Sequence, residues 1–514
     1  MFRVVIVLSA VLTFGLLGCH NNSSTGNNDM GNMPSQSPDM TPPNATDDMA
    51  NASGDMMNTG PAQSLVSGGV LEAVSHDQTM LAYLPSPTSV NGNDTGALVV
   101  SPLPVTGQNT AVANNAYHAF FPGTGTINAL FYSTGPTASV DAGSTAVYGA
   151  INVWKPGTNA GIQLSTGFAT ISTTAQDNSS VLFWDTATAS NQGTGKVMLA
   201  RVTDCTANAC TPQSLATGVT VYEMAISFDG KYGAYSVKNA GATVSYAVNL
   251  VTIATGAVTT IATAGSSGTI SFSSDSKLLA SIGPAGALQV TTTATGKAAT
   301  WGAMPAGSQS LYLAFADSTT LLVRGQDAGA TMLTIYKTTA AAAASPVMSG
   351  PGTLTLTVPR NSRYLFTSMT PANGIGDVEA YDFTAAAPTA IPVATAGAVS
   401  SVALSPDGTY ARVLESYDRN AHTGTLTIVA LSAGTATTVQ AGITLSSPSF
   451  VAMHELMYID NANAGTLTTW TDGNSTTYAT SVNAYRGRSS TIYFSIKATD
   501  TMYGYAPGIY ATPL

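Results

Sequence analysis

The sequence is poor in charge. Only 9% of its 514 residues are Asp, Glu, Lys or Arg, against about 25% in an average soluble protein. The 27 acidic residues outnumber the 17 basic ones, for a net charge of −10. A nucleic-acid partner calls for a basic patch or stripe, so this balance argues against one. Histidine is also scarce: His20, His76, His118, His422 and His454 are all there is, and none stands at metal-ligand spacing. Glutamate is limited to Glu72, Glu223, Glu379, Glu415 and Glu455. No G-x-S-x-G is present; Gly265-Ser-Ser-Gly268 is one residue short. That removes the motif a serine hydrolase of the α/β type requires. Asn91-Gly-Asn93-Asp94-Thr95-Gly96 starts like a calcium loop, but Pro102 stands where the closing Glu belongs. Phosphate-loop and dinucleotide motifs are missing too. The sequence gives no reason to expect a cofactor or a bound metal.

Cysteine is limited to three residues, and each has a reading. The chain opens MFRVVIVLSAVLTFGLLGCH, with one Arg and an apolar run that ends at Leu16-Leu17-Gly18-Cys19. This is a secretory signal, too short for a comfortable membrane span. Leu-Leu-Gly-Cys resembles the lipobox of bacterial lipoproteins. The resemblance implies that residues 1–18 are removed and that Cys19 carries the lipid. His20, rather than Asp, follows the Cys; by the sorting pattern of that family this points to the outer membrane of a Gram-negative cell. Cys205 and Cys210 lie close together in an exported chain, which reads as a local disulfide that staples a loop.

Residues 19–62 hold almost no aliphatic side chain and are read as a disordered tether. Asp-Met recurs within it at Asp29-Met30, Asp39-Met40, Asp48-Met49 and Asp55-Met56. Thioethers are soft ligands that suit Cu(I), but a low-complexity spacer accounts for the same pattern.

From 63 to 514 a helical period is absent. Short Val/Ile/Thr/Tyr/Leu runs alternate with Gly, Pro and Asp-Gly punctuation, which is the pattern of an all-β chain. One of these stretches, VALSPDGTYARVL (402–414), has relatives along the chain. EMAISFDGKYGAYSV, TISFSSDSKLLASIG, EAVSHDQTMLAYL and YLAFADSTTLLVRG each place an Asp turn between two β runs. With weaker copies included, the turns fall at 77, 124, 177, 229, 275, 317, 361, 407, 454 and 488, so successive gaps are 47, 53, 52, 46, 42, 44, 46, 47 and 34. Repeats of this length with four strands each are β-propeller blades. The apolar run after each turn is continuous, as a strand covered on both faces should be. The last run, such as 436–440, is Thr-rich and suits a wettable outer edge.

Ser-Pro-Asp-Gly-x-Tyr followed by an apolar run, with Ala-Thr-Gly turns at 254–256 and 294–296, resembles the propeller repeats of the TolB family, and more distantly WD-type repeats. The resemblance implies a β-propeller over 63–514 built from four-stranded antiparallel blades. Ten units can be counted. A single ring is favoured; two smaller propellers or about eight blades also fit. The last unit has room for three strands, near 482–485, 491–496 and 508–512, and Gln63–Ser67 can supply the fourth and close the ring. Relatives of this repeat precede catalytic domains in prolyl oligopeptidase-type enzymes, but this chain ends at its last blade.

The expected function is therefore non-catalytic: an outer-membrane-anchored scaffold that presents propeller loops to an envelope protein, peptide or glycan. The alternative is a propeller enzyme, a lyase or hydrolase, with scattered residues at the axial channel. Glu223 and Glu415 fall near strand ends, where a channel-facing carboxylate or a structural role both fit. Trp154, Trp184, Trp301 and Trp470 lie on or near strand runs and read as core between blades.

Overall fold

The computed structural model describes residues 62–514, apart from short interior stretches such as 123–127, 139–146 and 358–363. The signal sequence, Cys19, His20 and all but the end of the 19–62 tether lie outside the described residues, as do His422 and His454. Among those described there is no α-helix, and none long and apolar enough to cross a membrane.

The strands form eight separate four-stranded antiparallel sheets and one larger sheet that two blades share. The shared element is the long strand Thr110–Phe120. Its first part pairs with Asn93–Pro102 as the outer strand of the first blade. Its last part, from Ala116, pairs with Leu130–Ala138 as the inner strand of the second. This gives ten blades, the number counted from the turns and more than the four to eight of most propellers.

Closure uses both ends of the folded region. Gln63–Ser67 pairs antiparallel with Gly508–Pro513, with Gln63 opposite Ala511 and Ser67 opposite Gly508. That completes a blade whose other strands are Val482–Arg488 and Thr491–Ile496.

Packing follows the same circular order. The first two blades share a cluster that includes Leu84, Leu130 and Trp154. Phe131 and Phe183 join the second and third. Leu182, Trp184 and Tyr235 join the third and fourth. The sequence of clusters continues to Tyr485 and Met457 between the ninth and tenth, and to Leu71, Leu81, Tyr493 and Ile509 between the tenth and first. A hydrophobic wedge between every consecutive pair, the last returning to the first, is the packing of one ring.

Strand chemistry matches position. Second strands are buried almost throughout: Ser180–Thr186 wholly, Leu278–Ile282 beyond its first residue. Both faces meet a neighbouring blade there, so alternation is lost. The outer strand Thr435–Thr444 begins with four exposed residues. All four tryptophans are buried; they are blade-to-blade core, and none presents a ring to solvent.

Candidate binding face and channel wall

The turn between first and second strands is built the same way in four blades. A serine Oγ donates to the Asp two residues on: Ser75 to Asp77 (2.7 Å), Ser227 to Asp229 (2.8 Å), Ser273 to Asp275 (2.7 Å) and Ser405 to Asp407 (2.5 Å). The same Oγ accepts the backbone N–H five residues on, from Met80, Tyr232, Leu278 and Tyr410. The Asp accepts the N–H two residues on, from Thr79, Lys231, Lys277 and Thr409. The residue after the Asp takes a left-handed backbone in each: Gln78, Gly230, Ser276 and Gly408, with φ of 57°, 69°, 64° and 70°. The Asp is thus a brace for a tight bend. Burial raises the Asp77 carboxyl, but hydrogen bonds from Asn128, Ser75 and Thr79 outweigh it and hold the group down at about 2.

Antiparallel order places these turns, and those between third and fourth strands, at one end of the blades. Loops between second and third strands, and from one blade to the next, lie at the other end. The two faces differ in what their side chains do. On the turn face, long donors reach from blade to blade. Lys155 Nζ donates to the carbonyls of Val202 and Cys205, Arg201 Nε to Ile253 O (2.6 Å), Lys337 Nζ to Phe383 O (2.7 Å) and Asn128 Nδ2 to Asp77 (2.8 Å). Cys205 and Cys210 form a disulfide in a loop on this same face, beneath Lys155. His76 is exposed in the first turn.

On the opposite, loop face two carboxylates brace loops of their own blade, and two ties cross to a neighbour: Gln440 Nε2 donates to Asp460 of the next blade (3.1 Å) and the Tyr503 hydroxyl to Thr477 O of the preceding one (3.3 Å). Asp185 accepts from Thr166 N–H (2.9 Å) and Gly167 N–H (2.8 Å), and Asp500 accepts from Thr480 N–H (2.6 Å) and Tyr503 N–H (2.6 Å). Of the six exposed large hydrophobic residues among those described, four lie here: Tyr222 (42% exposed), Val244 (56%), Met502 (51%) and Tyr503 (49%). The Tyr222 ring meets Tyr246 edge-on at 5.0 Å. It rests on Gly268 of the next blade, where an added Cβ would lie 2.5 Å from the ring. Only glycine permits that approach. Tyr503 stacks obliquely on Tyr505, which continues to Tyr510. These rings are amphipathic, rigid and half-exposed, the profile of binding hot spots.

The innermost strands line the channel. Three of them accept a main-chain N–H from the innermost strand of the next blade: Glu72 from Ala119 (3.3 Å), Glu223 from Ile270 (3.1 Å) and Ser271 from Phe315 (3.4 Å). Burial raises the Glu72 carboxyl to about 7 against the opposing pull of Arg486. Burial likewise raises Glu223 to about 7, against the Ile270 N–H. Arg486 Nη2 also donates to the Glu72 carbonyl at 2.8 Å. Glu415 accepts from Thr427 Oγ1 (2.9 Å). His118 packs against the Tyr117 ring at 4.6 Å. No group of three or more His, Cys, Asp or Glu suited to a metal occurs among the described residues.

Sequence spacing flagged Glu223 and Glu415 but not the Tyr222–Tyr246 pair or the Glu72–Arg486 contact. Tyr222 and Tyr246, 24 positions apart, meet across two strands of the fourth blade, whereas Glu72 and Arg486, 414 apart, meet only once the ring closes. The Asp-Met tract lies outside the described residues.

No family model matches the chain, and no curated protein does. Solved structures resemble it weakly. Dipeptidyl peptidase 4 of Porphyromonas gingivalis is 10% identical at a TM-score of 0.42, with 85% of this chain and 65% of that one covered. Prolyl oligopeptidase B from Galerina marginata is 11% identical at 0.37, covering 64% and 55%. The C-terminal WD40 domain of Sif2 is 11% identical at 0.34, covering 67% and 95%. The chain spans 43% of the tricorn protease and 54% of a prolyl endopeptidase that it also resembles. At such identities a likeness speaks to fold alone, and the propeller assignment stands on the sheet order and circular packing.

Proposed function

We propose that the chain is a non-catalytic binding scaffold, held at the outer membrane through Cys19 and offering its loop face to an envelope protein, peptide or glycan. The division of the two faces carries this reading. The charged blade-to-blade donors Lys155, Arg201 and Lys337 occupy the turn face, whereas the loop face leaves Tyr222, Val244, Met502 and Tyr503 exposed. A rigid ring beneath adaptable loops is a scaffold for recognition, and the Tyr222–Tyr246 pair is its anchor. The TolB-like repeat and the lipobox belong to the same proposal.

Co-purification from envelope extracts with the full lipidated chain tests it. Tyr222→Ala with Tyr246→Ala is expected to weaken capture of the partner at least about tenfold, the scale of hot-spot truncation. Asp407→Ala, in the turn face, is expected to leave capture intact. Equal capture by all three chains contradicts the assignment.

One observation favours the rival. Glu72 and Glu223 near 7 lie in the range of a general acid or base. They stand in the first and fourth blades, and each is already engaged by a main-chain N–H. A hydrolytic or lyase activity lost in both Glu72→Gln and Glu223→Gln would favour the enzyme.

A further inference from the structure

The second strand of the eighth blade, Tyr410–Asp418, carries a cation in an apolar wedge. Arg412 is fully buried, among the largest side chains with no exposed surface. Its alternation places it with Leu414, which packs between the eighth and ninth blades, and opposite Ala411 and Val413, which pack between the seventh and eighth. Among the described residues none of its three guanidinium nitrogens has a hydrogen-bond partner. A guanidinium offers five donors and stays charged. Leaving such a charge buried and unpaired is among the costliest arrangements a fold can hold.

Among the described residues the one titratable group that acts on the Arg412 charge is a phenol, and no carboxylate does. Tyr485 of the tenth blade lies within electrostatic reach of Arg412. Its hydroxyl donates to Met457 O (2.9 Å) and shares a 2.8 Å hydrogen bond with Ser449 of the ninth blade. Burial raises Tyr485 to about 12, so it is neutral and supplies no counter-charge. Burial lowers Arg412 only to about 10, so it remains a cation at neutral pH. Glu415, three residues along, is of opposite strand parity and is engaged by Thr427. Arg486 adds a second positive charge acting on the same phenol.

We infer that the wedge between the eighth and ninth blades holds a small monovalent anion, of chloride size, against the Arg412 guanidinium beside Ser449 and Tyr485. The anion supplies the missing counter-charge and accepts the orphaned N–H groups. It thereby locks three consecutive blades together, and its uptake makes ring stability depend on anion concentration.

The test follows the thermal unfolding of the full chain in chloride, with gluconate, a much larger organic anion, holding ionic strength constant. Binding to the folded state alone raises the melting temperature by about 1–2 °C per tenfold rise in chloride above the dissociation constant. Arg412→Met, of similar reach and no charge, is expected to abolish that slope. Crystals of the unmodified chain soaked in bromide are expected to show an anomalous peak in contact with the guanidinium; this arm decides the matter if the variant fails to fold. A flat wild-type response, equal slopes in both chains, or a bromide-free Arg412 site overturns the inference.

Discussion

The Asp229 N–H donates to Ser276 Oγ at 2.9 Å, tying the turn of the fourth blade to that of the fifth. Ser276 is the left-handed residue of its own turn, with φ 64°. Gln78, at the same place in the first blade, accepts from the Tyr493 hydroxyl of the tenth at 3.1 Å. A side chain replaces glycine where it can clasp the preceding blade. Ser276→Gly should relieve the left-handed strain yet lose the clasp, for a net loss of about 1 kcal/mol. Ser276→Ala keeps the strain and loses the clasp, so it should cost more, about 1–2 kcal/mol. Chemical denaturation measures both, and a stabilised Ser276→Gly would show that the clasp contributes nothing.

Glu223 ties pH to stability. Its pKa is raised from about 4.5 to about 7 by folding. Below the unfolded value both states hold the proton and the contribution is fully present. As pH rises toward 7 the unfolded state releases the proton while the folded state retains it, so stability falls, by up to about 3 kcal/mol. Glu223→Gln keeps an acceptor for Ile270 N–H and cannot ionise. Its stability between pH 5 and 8 should fall less steeply than that of the parent. Parallel pH profiles would refute the assignment.

Leu65 and Val66 pack in the wedge that joins the tenth blade to the first. Replacing both with Ser should remove about 2–4 kcal/mol, the cost of losing two partly buried aliphatic side chains. The guanidinium midpoint reports it. An unchanged midpoint would mean that the ring does not depend on the 63–67 strand.

Cys19→Ser removes the proposed lipid site. The chain is expected to leave the membrane fraction for the soluble one, as followed by fractionation and by loss of palmitate labelling. Continued membrane retention would remove the anchor from the account.

Much of the fold was legible because a blade is a local object. The Ser-x-Asp brace, the buried run after it and the Thr-rich outer strand all fall within about 45 residues, so each recurs as readable text. Closure was legible because the last unit, 482–514, lacked a strand and Gln63–Ser67 was unassigned. The long strand Thr110–Phe120, shared by two blades, was not foreseen, since no turn marks the handover at Ala116. Asp, rather than Asp-Gly, marks the copies: Gln78 and Ser276 take the left-handed position behind the same Asp brace that precedes Gly230 and Gly408. The candidate site was barely legible. Tyr222 and Tyr246 belong to different strands, and Gly268, which seats the ring, to another blade. Arg412 reads as one polar residue in an apolar run until the ninth and tenth blades surround it.

Photo-crosslinking in living cells tests the central claim, that one face of this ring binds and the other braces. A photoreactive amino acid is placed at Val244 or Tyr503 on the loop face, and at Lys277 or Lys297 on the turn face. The account predicts adducts of one defined partner from positions 244 and 503 and none from 277 and 297. Adducts confined to 277 and 297 would contradict it.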